Sequence, residues 1–161
     1  MGLDMYFYAR KSTYKSFSKW DEGRDKTNYP KDLKTFSDYI KDRNFKSVET
    51  EINYQIGYFR KFNALHGYIV KRFAAGIDEC QDIYLYKEDV EQIKKVLDEV
   101  LKAKIEEKAK ELLPTQSGFF FGGINYDEYY FEEVKVAADL MQNLLDNFDF
   151  ENYQLVYRAS W

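Results

Sequence analysis

Cysteine and histidine are almost missing from this chain, with one of each in 161 residues. A lone Cys80 cannot close an internal disulfide and fits a reducing compartment. A zinc centre built around His66 and Cys80 would need unusual carboxylate-heavy ligation, so no metal site is expected. No stretch reaches 18 consecutive apolar residues, and no basic-then-apolar leader precedes a small-residue cleavage site. Met1-Gly2 invites a myristoylation reading, but residue six is Tyr6 instead of Ser or Thr. These absences point to a cytoplasmic protein with no membrane partner. Blocks of five or six like charges are also lacking, and the net charge is −4. Both features argue against direct nucleic-acid binding, which rests mostly on phosphate neutralisation. The patterns G-x-G-x-x-G, G-x-x-x-x-G-K-[ST] and G-x-S-x-G do not occur, so no cofactor is implied and no catalytic residue is nominated.

Aromatic residues are abundant instead, at 19% of the chain, with fifteen tyrosines and thirteen phenylalanines. Such a load of large, half-polar rings either packs a core or stays exposed for contact. Rings that one core cannot hold favour self-association, so a homo-oligomer is expected. The length suits a single domain over 1–161 with a core of its own, interrupted by an exposed variable loop at about 11–29.

Leu3, Met5, Phe7 and Ala9 alternate with polar or half-polar residues, the period of a strand with one buried face. Lys11 to Asn28 reads as loop. Pro30 opens a short helix ending by Asn44, with Leu33, Phe36, Tyr39 and Ile40 as its apolar stripe. Val48, Thr50, Ile52, Tyr54 and Ile56 share one side of a second strand that Gly57 closes. Phe59, Phe62, Val70 and Phe73 then switch to helical spacing, and Gly76 caps the helix near Ala75. Asp82 to Tyr86 is a short strand. Val90, Ile93, Leu97, Val100, Leu101, Ile105 and Leu112 predict one long amphipathic helix. A second carries Phe131, Val134, Ala138, Met141, Leu144, Leu145 and Phe148. Alternation of Tyr153, Leu155, Tyr157, Ala159 and Trp161 ends the chain in a strand. The expected fold is α+β: a small antiparallel or mixed sheet including both terminal strands, packed with three or four helices. The terminal strands pair near the sheet centre, since both are rich in aromatic and aliphatic residues.

Two stretches carry chemistry. Pro114 ends the preceding helix at Leu113, and Thr115, Gln116 and Ser117 then offer side-chain donors and acceptors beside Gly118. Three phenylalanines follow, with Phe119 and Phe121 anchoring the turn and Phe120 on the other side. After Gly122 and Gly123, Asn125 and Glu128 read as a capping box. A free helix N-terminus attracts anions, whereas Asp127, Glu128, Glu132 and Glu133 already complement the dipole. The stretch is either a structural turn or a ligand loop. In the second stretch, Asn63 and His66 interrupt the apolar face made by Phe59, Phe62, Val70 and Phe73. Buried polar groups need partners, so they meet core neighbours or a ligand. Arg60 and Lys61 stand beside them, and Arg is shaped to grip a phosphate or carboxylate. A Cys80–His66 nucleophile pair lacks activation, because Asp78 and Glu79 raise the thiol's pKa.

Met1-Gly-Leu-Asp-Met-Tyr6, Gly57-Tyr-Phe-Arg-Lys-Phe-Asn-Ala-Leu-His66, Gly76-Ile-Asp-Glu-Cys80, Leu113-Pro-Thr-Gln-Ser-Gly-Phe-Phe-Phe-Gly122 and Tyr126-Asp-Glu-Tyr-Tyr-Phe-Glu132 together resemble a family of small, uncharacterised bacteriophage and prophage proteins. That family usually has Tyr-Trp-Arg-Lys-Ala-Asn where this chain has Tyr58-Phe-Arg-Lys-Phe-Asn63, so the indole donor is lost at Phe59. The resemblance implies expression in a host bacterial cytoplasm and action against host antiviral defence.

Three functions follow as expectations. The first is binding of a small phosphorylated, nucleotide-like ligand, such as a defence signal, by Arg60, Lys61, Asn63, His66, Thr115, Gln116, Ser117 and Tyr126. The second is binding of a host defence protein through exposed tyrosines, with no small-molecule ligand. The third is a hydrolase or transferase with His66 as general base.

Overall fold

The computed structural model of the chain describes residues 2–16 and 47–161. The helix expected from Pro30 to Asn44 and most of the loop expected over about 11–29 lie outside the described residues; the first part of that loop, 11–16, is strand instead. The chain divides into two compact units, Met1–Arg10 with Asn53–Trp161, and Lys11–Ile52. Within the second unit, residues 11–16 and 47–52 belong to strands.

Strand β1 (Asp4–Ser16) buries Met5 and Phe7, and β4 (Gln154–Ser160) buries Leu155, Tyr157 and Ala159. Met5 and Phe7, and Leu155, Tyr157 and Ala159, are alternate positions of one face, while Val156 on the other face of β4 is buried too. The two strands are antiparallel, with Phe7 opposite Tyr157 and Met5 opposite Ala159, and the Phe7 and Tyr157 rings lie 5.2 Å apart. The sheet order is β2-β1-β4-β3, where β2 is Ser47–Arg60 and β3 is Ile83–Leu85. The sheet is antiparallel, and the terminal strands occupy its centre as their composition predicted.

β1 continues to Ser16, past Arg10 where the alternation of apolar residues gives way to lysines and serines. β2 likewise runs through Gly57 to Arg60, although a glycine there reads as a strand end. Gly57 faces the core: a Cβ on it would lie 2.8 Å from Leu140 Cδ2 and 3.3 Å from Phe7 Cβ. A strand glycine of this kind marks close approach, not termination. Phe59 is buried on the same side, whereas Tyr54, Ile56 and Tyr58 are exposed on the other.

Helix α1 (Asn63–Phe73) follows β2, and its end is closed as Gly76, with φ +78°, donates its N–H to Val70 O at 3.0 Å. The long helix expected to end at Leu113 is two. α2 (Lys87–Ala103) buries Val90, Ile93, Leu97 and Val100, then stops at Lys104 in a left-handed conformation, φ 51°. α3 (Glu106–Leu112) resumes after the break. The break leaves Ile105 exposed and brings Ala109 and Leu113 into the core, which an uninterrupted stripe through Ile105 would not do. α4 (Glu128–Asn147) buries Tyr130, Val134, Ala137, Ala138, Met141 and Leu144 and packs against α2. Its cap is Asp127, whose Oδ1 accepts Tyr130 N–H at 3.1 Å; Asn125 stands two residues outside it. Among the described residues no helix is long and apolar enough to cross a membrane.

Candidate functional site

The loop between α3 and α4 lies over the start of α1, so the two stretches singled out by sequence are joined in space. Asn63 makes the joint. It is 3% exposed, and its Nδ2 donates to Phe121 O at 2.9 Å and Gly123 O at 2.8 Å. Its Oδ1 accepts Gln116 N–H at 2.7 Å. Only this amide orientation faces two carbonyls with hydrogens and an N–H with oxygen. Three of the four bonds an asparagine side chain can make are therefore used, including both donors.

Further bonds fix the same loop. Phe120 O accepts Leu3 N–H at 2.9 Å, and Leu3 O accepts Lys61 N–H at 2.7 Å, which ties the N-terminal segment into the joint. Phe121 N–H closes a turn on Gly118 O at 3.1 Å. Thr115 donates its N–H to Tyr126 Oη at 3.0 Å and its hydroxyl to Ile124 O at 3.1 Å. Tyr130 Oη donates to Leu113 O at 2.8 Å. Gln116 lies so close to α1 that a Cβ on Gly67 would be 2.5 Å from its side chain.

His66 is 2% exposed and is spent in the same way. Nδ1 lies 2.7 Å from Tyr157 Oη, and Nε2 lies 2.9 Å from Asp78 Oδ2. An ionised carboxylate only accepts, so Nε2 carries the hydrogen in the neutral ring and Nδ1 receives the tyrosine hydroxyl. Burial first, then the charge of Asp78, pushes the Tyr157 hydroxyl well above its ordinary pKa, keeping it protonated to donate. Trp161 Nε1 reaches Asp78 Oδ1 at 3.3 Å, and Phe121 stands edge-on to the imidazole with centroids 5.4 Å apart. Neither ring nitrogen is free for Cys80 or for a substrate proton.

Of the eight expected ligand residues, Asn63 and Gln116 join α1 to the loop, Thr115 and Tyr126 bond within the loop, and His66 bonds to Tyr157 and Asp78. Arg60, Lys61 and Ser117 are exposed. Beside the joint is a cleft of about 150 Å³ lined by Lys61, Asn63, Thr115, Asn125, Asp127 and Glu133. Small-molecule pockets span roughly 300–1,000 Å³, so it is half the size of the smallest of them. Burial pushes the Glu133 carboxyl above the ordinary carboxylate range.

Phe121 packs against the core, as expected of an anchor, but Phe119 does not. Its side chain is 96% exposed at the apex of the loop, with its ring edge-on to Phe120 at 5.0 Å. The bonds at Leu3, Asn63 and Gly118 fix the backbone on both sides of Phe119, so the ring is held outward by the fold. The partners of His66 were not visible in the sequence, since Asp78 and Tyr157 lie 12 and 91 residues away. Gly67, next to His66 within a helix, was the one local sign that another segment comes close.

No family model, curated protein or solved structure matches this chain.

Proposed function

We propose that this chain is a protein-binding module, a phage accessory protein that inhibits a host defence protein in the bacterial cytoplasm, without a small-molecule ligand. The observation that carries this reading is Phe119, 96% exposed on a loop pinned by hydrogen bonds on both sides. Leaving a phenylalanine in water forgoes about 1.5–3 kcal/mol of burial. A rigid aromatic recovers that free energy only when another surface covers it, and rigid aromatics are what dominate interface energetics. The phage setting rests on the sequence resemblance.

The nucleotide reading has less support, because the amide and imidazole that would grip a ligand already have partners. General-base chemistry at His66 meets the same obstacle. A hollow of about 630 Å³ beside Thr115 and Tyr126 is large enough for a nucleotide, but Glu106 and Asp127 line it and its one cation among the described residues, Lys110, is paired with Glu106.

The test compares the wild-type chain with Phe119→Ser. Calorimetric titration with a nucleotide panel is expected to give no heat, and affinity capture from bacterial lysate is expected to retain a protein that Phe119→Ser loses. The variant should fold normally, since a substitution at a fully exposed site changes stability by no more than about 0.5 kcal/mol. Saturable heat with a nucleotide, together with capture unaffected by Phe119→Ser, would sink the proposal.

A further inference from the structure

We infer that the surface Phe119 enters is an apolar pocket rimmed by carboxylates, with Arg60 and Lys61 held at its edge; the inference rests on the partner-binding reading above. Both cations flank the apex of the loop. A Cβ placed on Gly2 would lie 3.1 Å from Lys61 Cε, 3.8 Å from Phe120 O and 3.9 Å from Arg60 Nε, so the end of β2 and the loop meet at the N-terminal segment.

Neither charge is consumed at home. Lys61 is exposed, and among the described residues its ammonium makes no ion pair or hydrogen bond. Arg60 is 60% exposed and touches one acid among the described residues, Asp4, at 3.7 Å through Nε, longer than a hydrogen bond. Asp4 also accepts the Tyr58 hydroxyl, which divides its charge further. The acids across the cleft from Lys61 have other engagements: Asp127 caps α4, and Glu133 is half-buried and accepts a hydrogen bond from Tyr129.

The backbone at Lys61 is strained. Its φ is +63°, the left-handed region in which side chains are strained and glycine is not. Gly122, against which Lys61 packs, adopts φ +88°. A lysine where the backbone suits glycine places a cation beside the loop at the cost of strain; Ala75, Cys80 and Lys104 also adopt positive φ, so the conformation accompanies the charge placement without singling it out.

The chain as a whole carries −4, so these cations stand out locally against an acidic background. Such an arrangement orients an encounter with an acid-rimmed surface. An anionic lipid surface fits less well, because the remaining charge is repelled and one exposed ring supplies little insertion energy.

The test places p-benzoylphenylalanine at position 119 of the full chain expressed in a bacterial host, with the same group at the exposed Val136 of α4 as control. Irradiation should give an adduct specific to position 119, mapping to a segment with Asp or Glu beside apolar residues. Lys61→Glu and Arg60→Glu should each cut the adduct roughly tenfold, in keeping with charge at an interface rim. Lys61→Gly should also weaken it, with a thermal midpoint no lower than wild type because the strain is relieved. An adduct that ignores these charge changes, or maps to a segment without carboxylates, overturns the inference but leaves the partner-binding reading standing. No adduct above the Val136 control removes both. Phe119-dependent flotation with phosphatidylglycerol vesicles would overturn it in favour of a membrane.

Discussion

Asn63→Ala is the most informative single change, because one side chain joins Gln116, Phe121 and Gly123 to the start of α1. The substitution removes three hydrogen bonds, of 2.7, 2.8 and 2.9 Å. Each contributes about 0.5–1.5 kcal/mol net, and a buried group left unpaired costs about 1–3 kcal/mol. Gly123 and its carbonyl are at the surface, where water replaces the lost donor at little cost. Gln116 N–H is half-buried against α1 and has no such substitute. The sum is about 2–4 kcal/mol, a large part of the 5–15 kcal/mol that holds a domain folded. For a chain of this size that corresponds to a fall of roughly 4–16 °C in Tm. Urea unfolding measures the total, and amide hydrogen exchange at Gln116 localises it. Asn63→Asp sharpens the test: it keeps the acceptor for Gln116 but turns carboxylate oxygen toward two carbonyls, so it should be at least as damaging as alanine. A loss below about 1 kcal/mol with Gln116 exchange unchanged would refute the assignment of Asn63 as the joint.

His66→Phe should destabilise by about 1–3 kcal/mol, since it leaves the buried Tyr157 hydroxyl without its acceptor; thermal unfolding measures it, and an unchanged midpoint would contradict the buried bridge. Gly67→Ala sets a helix-propensity gain of about 1 kcal/mol against overpacking of about 1–3 kcal/mol on Gln116, so a net loss is expected, read by denaturation together with faster proteolysis of the 115–123 loop. Glu133→Gln tests the electrostatics. Burial raises this carboxyl above its ordinary 4.5, so the folded state binds the proton more tightly than the unfolded one. Its stability contribution is therefore lost as pH rises from the ordinary value through the raised one. The glutamine variant should be the more stable protein at neutral pH, with the difference vanishing at acid pH; a constant difference across the titration would argue against the shift.

The alternation from Leu3 to Ala9 and from Leu155 to Ala159 determined two half-buried strands. The spacing of Val90, Ile93, Leu97 and Val100, and of Val134, Ala138, Met141 and Leu144, determined two helices. Pro114 set the end of α3, and Gly76 the closing residue of α1. These features follow from local geometry, because a period of two or of 3.6 is written in neighbouring residues.

Elsewhere local signals misled where a distant neighbour outweighed them. Gly57 ends a strand by propensity, yet Phe7 and Leu140 require its missing Cβ in mid-strand. Ile105 continues a helical stripe, yet the core accepts Ala109 instead. Asn63 and His66 were legible as polar residues on an apolar face that needed partners. Whether those partners were ligand or protein was decided by Gln116, Phe121, Gly123, Asp78 and Tyr157, brought in from 12 to 91 residues away. The same packing decided that Phe121 is an anchor and Phe119 is not, although the two share a chemistry and are two residues apart. Periodicity fixes which side chains share a face, but burial depends on what the rest of the chain lays over that face, and only the folded molecule contains that information.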